Sequence, residues 1–333
     1  MAQGDVSLGP VAQSAGESVR LVPGCRPVAV RDELEPVARW AALAIGGPDA
    51  KAVAATALRP TGSPWLLEVD DAGQVTRAVL KAGSRGMRAE LATEAAALRL
   101  AERHNLPTPR LLAADLEGSD AGCFAVLMTH LEGTDQIPTS MDVGRLRAAG
   151  AAAAAIHRVS LIPTPELPVR HRHMPWINLS EERLRGEAPT TALLERGDRL
   201  LSETVMPEHE TVLVHGDLWV GNMLWRSGSY VGTIDWEAAG AGSYGVDLGS
   251  LRLDAALVHG TDAPDELLTG WEEASGQPAR HIAYWDLVAA LNTGADMTGF
   301  LPTMHQAGRQ DLDGEQLTIR RDAFLAAALD RLE

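Results

Sequence analysis

The stretch "TVLVHGDLWVGNMLW", residues 211–225, decides how the rest of the chain is read. Val212, Leu213 and Val214 are an apolar, largely β-branched run of the kind that forms a buried strand. The run breaks at His215-Gly216-Asp217, and Asn222 stands five positions beyond Asp217. Next, "NMLW" and "YVGTID" are strand-like pieces separated by "RSGS", a hairpin whose second strand ends on Asp235. A plain turn would tolerate such residues. A phosphoryl-transfer site requires them: an Asp, four residues, an Asn, and later an Asp that opens the next loop. An acid and an amide on one loop, faced by a second acid across a hairpin, can surround one or two hard cations with oxygen.

Composition narrows the partners. The chain has 333 residues, 45% of them hydrophobic and 22% charged, enough for one large or two modest domains. Its net charge of -16 is uneven: residues 1–200 carry 22 basic and 24 acidic side chains, residues 201–333 only 7 basic against 21 acidic. Such a field repels nucleic acid and anionic membranes and favours a cationic small molecule, although the same acids also serve as a solubilising surface. Two cysteines, Cys25 and Cys123, make no disulfide framework, which suggests a reducing compartment. No apolar run is long enough to span a membrane, and "MAQGDVSLGPVAQ" has no secretory pattern. A soluble, cytoplasmic protein is expected. Of 29 basic residues only Lys51 and Lys81 are lysine. A lysine in the middle of a strand therefore asks for a reason.

Along the chain, residues 1–30 are rich in Gly, Ser and Pro and are expected to be poorly ordered. A helix is expected over 31–47, stopped by Gly46-Gly47. Strands follow at 52–58, 65–69 and 77–82, the last two joined by the turn "DDAGQ". Residues 86–105 form a helix with Leu91, Ala95, Leu98 and Ala101 at helical spacing, and two more strands lie near 110–115 and 123–129. The remainder is mostly helical, beginning with an Ala-rich helix over 142–159 for which Asp142 is the N-cap. The fold class is α+β, with a small β-rich lobe (1–130) followed by a larger helical lobe (131–333).

"VHGDLWVGNMLW" and "TIDWEAAGAGSYGVDLGSL" resemble the aminoglycoside phosphotransferase and choline kinase family, a small-molecule branch of the protein-kinase-like fold. The resemblance extends loosely over residues 50–333. It implies a bilobal structure whose small lobe has an antiparallel sheet plus a helix. It also implies Asp217 as catalytic base or nucleophile-orienting residue, with Asn222 and Asp235 as magnesium ligands. Lys81 stands where the family's phosphate-binding lysine belongs; Glu94 is its better partner on the next helix, with Glu90 one turn earlier left open. "RPTGSP" would cover the phosphates, and backbone groups near Met128 and His130 in "VLMTHLEG" would bind the adenine of ATP, or the guanine of GTP. The implied activity is transfer of a phosphoryl group to a hydroxyl of a small cationic molecule. An aminoglycoside or amino-sugar-like acceptor comes first, with a role in antibiotic resistance. Choline, ethanolamine, homoserine, methylthioribose or a macrolide are alternatives, and a nucleotide-binding pseudoenzyme is a further one. Gly216 replaces the arginine of protein kinases, and 11 residues between Asp235 and Asp247 leave no room for an activation segment.

Several residues have plainer readings. His215 braces its loop rather than acting as a base, and Glu237 and Asp247 support the loop by hydrogen bonds. Trp225 packs in a hairpin strand; Trp219 and Trp236 are read mainly as packing too. "GAGSYG", Gly240–Gly245, matches G-x-G-x-x-G only formally, because "WEAA" separates it from the strand, so it is read as a tight loop. His171, Arg172 and His173 suit a solvent-facing or substrate-rim loop. His157 is expected to pack at the end of its helix.

Overall fold

The computed structural model describes residues 34–59 and 62–333. The expected disordered start, Cys25, and Pro60-Thr61 of "RPTGSP", the loop expected to cover phosphates, lie outside the described residues. Helix α1 (Glu35–Gly46) leads into strands β1 (Lys51–Arg59), β2 (Gly62–Asp71) and β3 (Gln74–Gly83), then helix α2 (Arg88–Arg103), β4 (Leu111–Asp115) and β5 (Phe124–Thr129). The five strands form one antiparallel sheet in the order β1-β2-β3-β5-β4. The first three strands run past their apolar cores at both ends. Asp71 still pairs with Gln74 across Ala72-Gly73, both at positive φ, and the Asp70 carboxylate accepts from the Gly73 N–H.

Strand alternation divides the sheet into two faces. Ala78 and Leu80 of β3 join the core that packs on Val37, Ala41 and Ala42 of α1. Val79 joins the opposite core, with Leu91, Ala95 and Leu98 of α2. Lys81, two residues beyond Val79, shares that second face. A period of two thus aims a lysine at the helix that carries the glutamates.

The larger lobe is built on α3 (Val143–His157), β6 (Val169–Arg170), α4 (Leu179–Leu184), α5 (Ala192–Glu203) and β7 (Val212–Val214). The hairpin β8 (Met223–Arg226) and β9 (Ser229–Thr233), then β10 (Gly240–Gly242), lead into α6 (Gly245–His259), α7 (Ala263–Ser275), α8 (Ile282–Leu291), α9 (Leu301–Gln306) and α10 (Gly314–Asp330). Asp142 caps α3 by accepting from the Arg145 N–H at 3.0 Å. Helix α6 is buried from Gly245 to Val258 and forms the axis of this lobe. The Arg252 guanidinium grips both oxygens of Asp286 on α8 at 2.9 and 3.1 Å. No helix among the described residues is long and apolar enough to cross a membrane.

The glycine run at 240–245 differs from its reading as a tight loop. Gly240–Gly242 is a strand, parallel to β6 and antiparallel to β7. A Cβ at Gly240 would lie 2.2 Å from the Pro168 carbonyl oxygen, and one at Gly242 2.5 Å from that of Arg170. Close backbone approach is the reason for these glycines, and three residues of low strand propensity concealed the strand.

The β4–β5 connection depends on one carboxylate. Asp115 accepts from the backbone N–H groups of Glu117, Gly118, Ser119, Asp120 and Ala121, at 2.7 to 3.3 Å. Burial opposes the charge, but these N–H groups hold the carboxyl below its ordinary value. Its contribution to stability is therefore present above the ordinary carboxylate pKa of about 3.9 and is lost as pH falls through the lower folded value. Asp115→Ala should lower stability by about 1–3 kcal/mol at neutral pH, by stranding these donors. Chemical denaturation should show the difference from wild type shrinking below about pH 4.

Candidate active site

Lys81 and Asp235 meet between the lobes. Lys81 Nζ donates to Asp235 Oδ1, to Glu94 Oε1 at 3.0 Å and to Glu237 Oε2 at 3.3 Å. Asp235 Oδ2 accepts from Arg59 Nη2 at 3.1 Å, at the end of β1. Burial alone would lower the Lys81 ammonium, but Asp235, Glu94 and Glu237 outweigh it and hold the group well above its usual value. Glu94 is pushed up to about 7, by burial first and by Asp235 and Glu237 beside it, against the pull of Lys81. Asp235 stands at about 2, because Lys81 and Arg59 overcome its burial. Of the two candidate glutamates, Glu94 reaches the lysine. Glu237, read only as a loop support, is a third carboxylate on the same ammonium.

Asp217 and Asn222 form the second half. Asn222 Nδ2 donates to the Asp217 carbonyl oxygen at 2.9 Å and to Asp217 Oδ2 at 3.3 Å. Burial, then Asp235, Glu237 and Asp254, raise the Asp217 carboxyl well above its ordinary value. Asp235 sits on a left-handed backbone (φ 68°), a strained conformation that Asp tolerates better than most residues. The Ile234 N–H donates to the Asn222 carbonyl at 2.9 Å, tying β9 to the loop.

The loop is held from behind by Asp247 in the first turn of α6. Its oxygens accept from the His215 N–H at 2.7 Å and the Gly216 N–H at 2.9 Å. His157 Nε2 approaches the same carboxylate at 3.0 Å, while His157 Nδ1 accepts from the Trp271 indole N–H at 3.0 Å. Since Nδ1 accepts, Nε2 carries the proton and donates to Asp247. The donors from His157 and the loop outweigh burial and keep the Asp247 carboxyl below its usual value. His215 Nε2 donates to the Ile234 carbonyl at 2.9 Å, and burial keeps the ring neutral. His157 therefore does more than pack: it links Trp271 to Asp247 in a polar chain reaching the loop.

Trp225 and Trp236 are core residues, whereas Trp219 lines a cavity that opens on Asp217. His173, expected at a solvent or substrate rim, is buried and lines the same cavity. Met128 lies inside β5, between Val79 and Leu111, and half-buried His130 follows the strand. Sequence reasoning did not mark Arg59, His157 or Asp254 as site residues; of these three only Asp254 carries a signal, standing seven residues beyond Asp247 on one helix.

The donor set suits a hard cation. Asn222 Oδ1 is buried without a partner, an acceptor held in place by the bonds its own amide nitrogen makes. Among the described residues no three His, Cys, Asp or Glu side chains form a metal cage. Asn222 and Asp235 could offer two oxygen ligands, about the number magnesium takes from a protein while keeping water and phosphate oxygens.

The profile of the phosphotransferase enzyme family (APH) matches residues 62–291. The chain belongs to this family. Its fold is protein-kinase-like, as in solved structures that share little sequence with it. A protein assigned as a fructosamine-3-kinase from Thermobifida fusca is 20% identical, with 88% of this chain and 98% of that chain covered and a TM-score of 0.54. An amicoumacin kinase, solved with AMP-PNP, Ca²⁺ and amicoumacin, is 15% identical over 90% and 94% of the two chains, with a TM-score of 0.55. A macrolide 2'-phosphotransferase from Brachybacterium faecium is 16% identical over 81% and 90%, with a TM-score of 0.52. No curated protein matches the sequence.

Gly216 is the tightest point of the loop. Its φ is +78°, and a Cβ there would lie 2.2 Å from the Ala238 carbonyl oxygen. Gly216→Ala should lower stability by at least about 1–2 kcal/mol, the cost of a left-handed backbone before the clash is added. Thermal unfolding against wild type measures it.

Proposed function

We propose that this protein is an ATP- and Mg²⁺-dependent phosphotransferase that moves the γ-phosphoryl group to a hydroxyl of a small cationic molecule. The observation that carries the reading is the buried meeting of Lys81 and Asp235 beside Asp217–Asn222, with the Asn222 oxygen left as an unpartnered acceptor. Membership of the phosphotransferase family supports the reaction class. The excess of acids in residues 201–333 supports a cationic acceptor of the aminoglycoside or amino-sugar kind.

Magnesium ATP, when bound, supplies the phosphoryl group and neutralises charge on it. Asn222 and Asp235 would hold the metal, and Lys81, kept charged and oriented by Glu94, would hold phosphate oxygens. The adenine would lie against the strand end near Met128 and His130. Asp217 would hydrogen-bond the acceptor hydroxyl and take its proton; its raised carboxyl makes it a stronger base than an ordinary aspartate. Asp247 keeps the loop in place for this, through two backbone N–H groups.

With ADP release as readout, Asp217→Ala should lower kcat by about 10²–10⁴-fold, the range for a lost general base. Lys81→Ala should act chiefly on the KM for ATP. Undiminished turnover by Asp217→Ala with every accepted compound would refute the assignment.

A further inference from the structure

A second cavity of the larger lobe has no part in the chemistry above. It measures about 130 Å³ and shares no lining residue with the cavity that opens on Asp217. Its polar wall is made by His171, Arg172, Ser180, Tyr284 and Asn292, and among the described residues no Asp or Glu lines it. In a chain of net charge -16, that wall is set for a negative ligand.

Three of its donors lack a protein partner. Tyr284 and Ser180 are each 8% exposed, yet neither hydroxyl makes a hydrogen bond among the described residues. Half-buried Arg172 makes no hydrogen bond or ion pair there either. Burial works against its charge, and Glu181 acts on it only from farther away, pairing instead with Arg185 at 3.8 Å. Burial raises the Tyr284 phenol against the pull of Arg172, so the hydroxyl and the guanidinium lie within each other's field. A buried hydroxyl with nothing to bond is costly, and a desolvated guanidinium more so. Water can meet the hydroxyls; an anion meets all three donors and balances the charge. Leu201 and Val288 form an apolar side of the same cavity. Inorganic phosphate would leave that side unused, whereas a carboxylate on a short hydrocarbon chain engages both.

The wall of this cavity continues into the loop that carries Asp217. Asn292 Nδ2 donates to the His173 carbonyl at 3.1 Å. The next residue, Met174, holds a left-handed backbone (φ 45°) and donates its N–H to the Gly216 carbonyl at 2.8 Å. Residues 171–174 are thus a strap with one end in the cavity and the other on the loop. A ligand gripped by Arg172 restrains that strap.

We propose that this cavity is an effector site for the carboxylate of a small organic acid, with Arg172 as counterion and Tyr284 and Ser180 as further donors, and that its occupancy steadies the loop at Gly216 through Met174. Binding is independent of the phosphotransferase reading; only a consequence for turnover rests on it.

Calorimetry on the full chain, at constant ionic strength, compares isovalerate with inorganic phosphate and with isoamyl alcohol, the uncharged counterpart of isovalerate. Isovalerate should bind most tightly. Arg172→Gln should weaken it by about 10- to 100-fold, the range of a hydrogen bond to a charged group, and Tyr284→Phe, which keeps the ring, by about 2- to 10-fold. Amide hydrogen exchange at Met174 should slow in the isovalerate complex. Phosphate or the alcohol binding as tightly as isovalerate overturns the carboxylate assignment, and an affinity unchanged in both variants overturns the site. Unaltered exchange at Met174 in the complex overturns the link to the loop. No binding of any of the three compounds overturns the whole proposal. The wild-type comparison decides alone if the variants do not fold. None of these readouts depends on ATP turnover, so this proposal and the phosphotransferase reading fail separately.

Discussion

The buried ammonium of Lys81 is the interaction on which the arrangement depends. It comes from the small lobe, and its partners come from three places: Glu94 on α2, Asp235 two residues past β9, and Glu237 just after it. Isolated surface pairs such as Arg88–Glu117 contribute little, a median near 0–1 kcal/mol. A buried cluster is different. Removing one member leaves the others desolvated and uncompensated, typically at a cost of about 3–5 kcal/mol. Nothing in hydrophobic packing requires such a cluster, and apolar side chains would fill the space at lower cost. Its presence where the two lobes meet is therefore a mark of chemistry. Glu94 also accepts from the Trp236 N–H at 3.3 Å, so one side chain ties the lysine, α2 and the turn after β9 together.

Helix α6 sets out the other half of the site. Its first turn presents Asp247 to the backbone of His215 and Gly216. Two turns later the same face presents Asp254 to the cavity over Asp217. Because α6 is buried nearly throughout and clamped to α8 by Arg252–Asp286, these two acids hold fixed positions relative to one another. The loop that carries Asp217 is thus pinned at its back by the helix that also lines its front. His157 and Trp271 extend the support through α3 and α7.

What the sequence revealed and what it hid follow from distance along the chain. Asp217, Asn222 and Asp235 lie within 19 residues and repeat a known spacing, so their grouping could be read directly. Lys81 was legible because lysine is scarce, and because strand alternation sets its face. The choice between Glu90 and Glu94 needed coordinates, since residues four apart share a helix face. Arg59 is one of 27 arginines and nothing local distinguishes it. His157 and His173 reach the site only through the packing of α3 and the course of the loop after β6, which no periodicity encodes. The strand in "GAGSYG" was hidden because its glycines answer to neighbouring backbones, not to strand propensity.

The claim that this buried cluster is a metal–nucleotide site is tested most directly by calorimetric titration with a non-hydrolysable ATP analogue, with and without magnesium. Wild type should bind the analogue in a magnesium-dependent way, and Asp235→Asn should lose that dependence together with most of the affinity. Binding that is indifferent to magnesium, equal in the two proteins, or absent from wild type would contradict it.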